Sequence, residues 1–242
     1  MPQSHLITFV DRLSDSPFIE RVWHSRSEQA GVFHSIAACH WEMVVTRLEG
    51  QTSLTVRGPE TVASVAELPA DGEWCAIRFK LGTCMPLLPP GLLRDGNAVT
   101  LSSATRRSFW LNGSALEYPG FENAEIFVQR LVRAGLVIAD PAIAPASVSR
   151  LDGLSTRTTE RRFRQVTGLT HGAIRQIERA RQATLLLRQG VSITDATYEA
   201  GYYDQAHLTR SLKRFVGQTP AQIASAQQQL SFLYNTGQAR AW

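Results

Sequence analysis

Near the carboxyl end Leu208, Leu212, Phe215 and Val216 recur at i, i+4, i+7 and i+8, the stripe of a helix buried along one side. The far side carries Ala206, His207, Arg210, Lys213 and Arg214, with Thr209 on a shoulder and Gln205 in the first turn towards the buried side. Asp204 is placed to cap this helix. Upstream, Ser192 and Asp195 form a capping-box-like opening to a shorter helix that Gly201 ends. The same period returns at Thr159, Phe163 and Val166, in a helix capped by Ser155 and closed by Gly168, leaving Arg157, Thr158, Arg161 and Gln165 outward. Between these units, residues 172–189 are helical by pattern. There Ile174, Ile177 and Leu185 to Leu187 face inward, and Arg175, Arg179, Arg181 and Arg188 face outward.

The amino-terminal half has a different rhythm. Short runs rich in β-branched and aromatic residues predict strands at 18–24, 36–48, 53–56, 61–68 and 74–79, with hairpin turns at 49–51 and 57–60. Closely spaced strands of this kind favour a β-sandwich or small barrel. Pro86, Pro89 and Pro90 make 85–93 an irregular apolar loop that covers the barrel or meets a partner. Residues 122–133 predict an amphipathic helix at the domain junction, its apolar edge at Ile126, Phe127, Arg130 and Leu131, with Glu125, Gln129 and Arg133 between.

Charge sharpens the division. The chain has 242 residues and a net charge of +4, but from Arg150 onward it carries 13 Lys+Arg against 6 Asp+Glu, so the earlier portion is acidic on balance. A basic carboxy-terminal region built of short helices is suited to nucleic acid. A helix buried on one side and basic on the other fits the major groove, where arginine reads guanine and a threonine methyl meets thymine. No apolar run approaches a membrane span, and the opening residues lack a leader's pattern, so a cytoplasmic protein is expected.

Other chemistry is thin. Cys39, Cys75 and Cys84 are odd in number and show no paired spacing. Cys39 beside His40 suits a redox sensor, but a small buried hydrophobe is the better reading. His40 and Glu42 would share a strand face and His34 lies near, yet no histidine falls between His40 and His171, so no metal site is expected. Trp23, Trp41 and Trp74 are candidates to line an apolar effector pocket, or are core. No paired carboxylates, nucleophile elbow or phosphate-binding glycine loop supports catalysis.

The stretch 192–220 resembles the second helix-turn-helix of the AraC/XylS transcription regulators. The matching pieces are Ser192-Ile193-Thr194-Asp195, Gly201-Tyr202, Asp204-Gln205, Leu208 to Phe215, and Gly217-Gln218-Thr219-Pro220. It departs at Ala196-Thr197 and at Leu212. Residues 154–168 resemble the family's first recognition element with Thr159 in place of leucine, and its lead helix should lie near 140–146, where Pro141 and Pro145 degrade the pattern. The resemblance implies an α+β multidomain chain: a β-rich, cupin-like domain over 1–120, a connector helix over 121–139, a double helix-turn-helix over 140–229 and a tail over 230–242.

It implies a bacterial regulator binding double-stranded DNA, with a small-molecule effector, RNA polymerase and a second copy of the chain as further partners, and no cofactor. Arg157, Arg161, Gln205, His207, Thr209 and Arg210 are then expected at bases, and Arg164, Arg175, Arg179, Lys213 and Arg214 at phosphates. Residues 172–189 would span ~27 Å at the α-helical rise, against the ~34 Å between successive major grooves. Two alternatives remain: a regulator whose β domain mediates only protein contacts, and an enzyme domain with a nucleic-acid-binding appendage.

Overall fold

A computed structural model describes residues 7–140, 143 and 156–225. The β-rich region contains β1 (Ile7–Leu13), β2 (Ile19–Ser27), β3 (Gly31–Ser35), β4 (Glu42–Leu48), β5 (Gln51–Arg57), β6 (Ser64–Leu68), β7 (Glu73–Phe79), β8 (Thr83–Cys84), β9 (Val99–Leu101), β10 (Ser103–Thr105), β11 (Ser108–Leu111) and β12 (Ser114–Glu117). It continues through α1 (Ala124–Arg133) and β13 (Ile138–Ala139), and the described elements that follow are α2 (Thr156–Thr167), α3 (His171–Arg188), α4 (Ile193–Glu199), α5 (Gln205–Phe215) and α6 (Pro220–Ala224).

The chain forms two compact units interleaved in sequence. Residues up to Gly31, His40–Pro59 and Leu68–Leu169 make the first; Val32–Cys39, Glu60–Glu67 and the chain from Thr170 make the second.

The first unit is built on a six-stranded antiparallel sheet in the order β1-β2-β7-β4-β5-β9. The expected turn at 49–51 is present: Leu48 pairs with Gln51 across Glu49 and Gly50, at φ 51° and 74°. The expected hairpin at 57–60 does not form, because β5 pairs with β4 and β9 while β6 pairs with β3. The run at 36–48 also divides; only Glu42–Leu48 is strand within it, and β3 precedes it.

Strand alternation sends Val22, Met43, Val45, Leu54, Val56, Cys75 and Ile77 to one face, where Phe127, Val128 and Leu131 of α1 and Phe109 and Leu111 of β11 complete the core. Each such side chain taken from water contributes roughly 1.5–3 kcal/mol. The apolar edge of α1 is therefore Ala124, Phe127, Val128 and Leu131, spaced i, i+3, i+4 and i+7. Ile126, expected inward, is exposed. Arg12 of β1 fixes α1 to the sheet edge with Nη1 and Nη2 on Glu125 Oε1 and Oε2 at 2.6 and 2.7 Å. Those bonds, with a third from Ser14 Oγ, outweigh the cost of burial and hold the Glu125 carboxyl down to about 2.

The opposite face carries Trp23, Val44 and Ala76, flanked by Phe9 and Trp74. Two buried ion pairs join neighbouring strands: Arg21 with Asp11, and Arg78 with Glu42. Burial works against the Glu42 charge, yet Arg78 and Arg57 keep its carboxyl below the ordinary range.

In the second unit, α3 buries Ile177, Ala180, Ala183, Thr184 and Leu187, and packs with α4, α5 and α6. The β3–β6 ribbon belongs almost entirely to this unit.

Candidate nucleic-acid interface

The second helix-turn-helix is built as its sequence predicts. Ser192 Oγ accepts the Asp195 amide at 3.1 Å and donates to its carboxylate at 2.6 Å, starting α4. Gly201 takes φ 73°, which a β-carbon disfavours, and Tyr202 N returns to Thr197 O at 2.8 Å to close the helix. Asp204 Oδ1 then accepts the His207 amide at 2.6 Å and opens α5. Leu208, Leu212, Phe215 and Val216 are buried, while Arg210, Lys213 and Arg214 are exposed on the other side.

Tyr202 ties this turn together. The Arg179 guanidinium lies 4.4 Å from its ring centroid, His207 approaches edge-on at 5.1 Å, and its hydroxyl shares a 2.8 Å hydrogen bond with Ser211 Oγ. Arg179 Nη1 also donates to Gly201 O at 3.2 Å. Half-buried and so engaged, Arg179 braces α3 against the turn, a role that its exposed position in the sequence pattern does not reveal. Gln205 Nε2 donates to Thr194 Oγ1 at 3.1 Å, linking α5 to α4. Thr209 Oγ1 donates to Gln205 O at 2.8 Å within α5. Thr219 and Gln222 close a capping box at the start of α6, after the predicted Gly-x-x-Pro.

In the first helix-turn-helix, α2 has Arg157, Thr158, Arg161, Arg164 and Gln165 exposed and Phe163 buried, as expected; Val166 is half-buried. The side chain of Thr159, the cap at Ser155 and the lead helix near 140–146 fall outside the described residues, apart from Asp140 and Ile143. Gly168 ends α2 at φ 76°, and a β-carbon there would come within 2.9 Å of Gly91 N. That approach belongs to a 3₁₀ turn, Pro90–Leu92, so the proline-rich loop packs on α2 within the first unit. Arg162 makes a bidentate bond to Asp140, at 2.7 and 2.9 Å. Arg175 on α3 is exposed.

The remaining candidates disperse. Trp23 and Trp74 share one face of the sheet, whereas Trp41 lies in the core on the other, stacked on Phe79 at 3.7 Å, with Nε1 donating to Thr83 O at 2.6 Å. His40 faces Glu20 Oε2 at 3.3 Å and Phe79 O at 3.2 Å, and His34 belongs to the other compact unit. All three cysteines are buried and outside any disulfide, Cys75 pushed up to about 11 by burial. Among the described residues no group of His, Cys, Asp and Glu is arranged to hold a metal ion, and no helix is long and apolar enough to cross a membrane. The tail over 230–242 lies outside the described residues.

No curated protein and no solved structure matches the chain. Residues 149–226 match the family described as a helix-turn-helix domain, and this span takes in α2 to α6. The β-rich region before it is unassigned, and the helix-turn-helix domain supports a DNA-binding transcription regulator of AraC type.

Proposed function

We propose that the protein reads a specific DNA sequence by placing α2 and α5 in successive major grooves of one duplex. The observation that carries this reading is α5 itself, capped, buried along Leu208, Leu212 and Phe215, and basic along Arg210, Lys213 and Arg214. Arg210 reaches a base edge, joined by the Thr209 methyl, whose hydroxyl is turned to its own helix. His207 and Gln205 lie at the first turn, and Arg157 and Arg161 perform the equivalent reading from α2. Arg164, Arg175, Lys213 and Arg214 hold phosphates and fix register. Arg179 positions the turn. The 18 residues of α3 span ~27 Å, near the groove repeat, with duplex bending taking up the difference.

Arg210→Ala is expected to weaken binding to the preferred operator by ~1–3 kcal/mol while leaving random duplex nearly unaffected. The operator is found by selecting bound sites from random duplexes, and both affinities are read by competition. An equal loss on both sequences would make Arg210 a phosphate contact, and an absence of salt-sensitive duplex binding would overturn the whole reading.

The regulator responds to a small molecule at the face carrying Trp23 and Trp74. What supports this is Ser25 on the same strand face, almost fully buried, with no hydrogen-bond partner for its hydroxyl. In a thermal-shift panel of metabolites, at least one is expected to raise the melting midpoint, as a ligand bound only by the folded state must, and Trp74→Ala should remove the shift. A flat panel would favour a ligand-independent regulator.

A further inference from the structure

An α-helix leaves its last carbonyls without partners inside the helix. At the end of α5, Val216 N and Gly217 N both return to Leu212 O, at 2.8 and 3.0 Å. The carbonyls of Arg214 and Phe215 are taken by amides from far earlier in the chain: Ala63 N donates to Arg214 O and Ala37 N to Phe215 O, each at 2.8 Å. Both donors flank the β3–β6 ribbon. Ala38 and Glu60 exchange a pair of backbone bonds at 2.9 Å across it, and Ser35 Oγ donates to Glu60 Oε2 at 2.9 Å. His34 lies over Gly217, where a β-carbon would meet its Nδ1 at 3.1 Å.

We infer that this ribbon is a working part of the second DNA reader: a backbone clamp that fixes the end of the recognition helix and so the register of its basic face. The inference rests on the reading of α5 proposed above. Family similarity begins at residue 149 and does not include the ribbon, whose segments are Val32–Cys39 and Glu60–Glu67. Its strands continue along the chain into β2, β4, β5 and β7, all members of the six-stranded sheet. The backbone thus runs unbroken from those strands into the ribbon, and the ribbon meets the end of α5 through its two hydrogen bonds. Neither amide is visible as a functional group in a side-chain pattern, since any residue but proline supplies one.

Hydrogen exchange on the full chain tests the clamp without substitution. The amides of Ala37 and Ala63 should exchange as slowly as those of Leu212 and Phe215 and respond with them when duplex DNA is added; exchange at the rate of an unprotected loop amide overturns the inference. Ala63→Pro deletes one donor, whereas Ala63→Ser keeps it. Ala63→Pro is expected to accelerate exchange in the last turn of α5 by about tenfold, the scale of an acceptor left unpaired, and to lower the preference for operator over random duplex; Ala63→Ser should match the parent. Unchanged exchange in α5 and unchanged preference in Ala63→Pro would also overturn it. If that variant does not fold, the exchange rates of the unsubstituted chain decide. Loss of all duplex binding by the parent protein would instead refute the reading of α5, and the exchange result would still judge the clamp.

Discussion

Tyr202→Ala is expected to destabilise the second helix-turn-helix by ~3–5 kcal/mol, the range for truncating a large buried aromatic, and to abolish operator recognition. The side chain is 3% exposed, and its loss would release three contacts at once. Arg179 loses the ring beneath its guanidinium, His207 loses its edge-on partner, and Ser211 loses a hydroxyl. Tyr202→Phe keeps the ring and removes only the last, so it should cost about 1 kcal/mol and preserve binding. Exchange of the α5 amides in both variants, beside operator affinity, measures the difference. If alanine and phenylalanine behave alike, the ring is not what holds the turn, and Arg179 loses its positioning role.

A second large effect is expected in the other unit. Glu42→Ala should destabilise the six-stranded sheet by ~3–5 kcal/mol, because it strands the Arg78 charge in the interior. The Arg78 side chain is 3% exposed and Nε meets Glu42 Oε1 at 2.7 Å. Replacing both residues, as in Glu42→Leu with Arg78→Met, should recover most of the loss, since an apolar pair carries no desolvation cost. Denaturant unfolding of the two single variants and the double variant forms the required cycle; additive losses would show that the pair is uncoupled. The carboxyl of Glu42 is held below its ordinary value, so its stabilisation is fully present above the unfolded pKa of ~4.3 and is lost as pH falls through the lower folded value.

The carboxy-terminal helices were legible because their determinants are local. The spacing of Leu208, Leu212 and Phe215, the caps at Ser192 and Asp204 and the turn at Gly201 each act within a few residues. Strand positions in the β-rich region were legible where alternation was strong, as in β2, β5 and β7. Their pairing was not, because β7 inserts between β2 and β4 and no local signal announces a neighbour so far along the chain. Asn112-Gly113 carries a hairpin signal directly after Phe109, Trp110 and Leu111, and the chain turns there between β11 and β12. In α1, a stripe drawn through Ile126 takes in Arg130, whereas Ala124, Phe127, Val128 and Leu131 are apolar throughout and are the ones buried. The period places Arg179 outward, and the ring of Tyr202, from another segment, holds its guanidinium 4.4 Å from the ring centroid.

The ribbon also sets an order of events. Ala37 and Ala63 leave the ribosome long before Arg214 and Phe215, the residues whose carbonyls they serve. Because domains are completed during synthesis from the amino end, the two amides must wait, solvated, while the whole six-stranded sheet is made. Closing so distant a contact carries a high entropic cost and slows folding relative to local helix formation. The clamp on α5 is thus among the last contacts this chain can make at birth, and a truncated product ending before α5 could not make it at all.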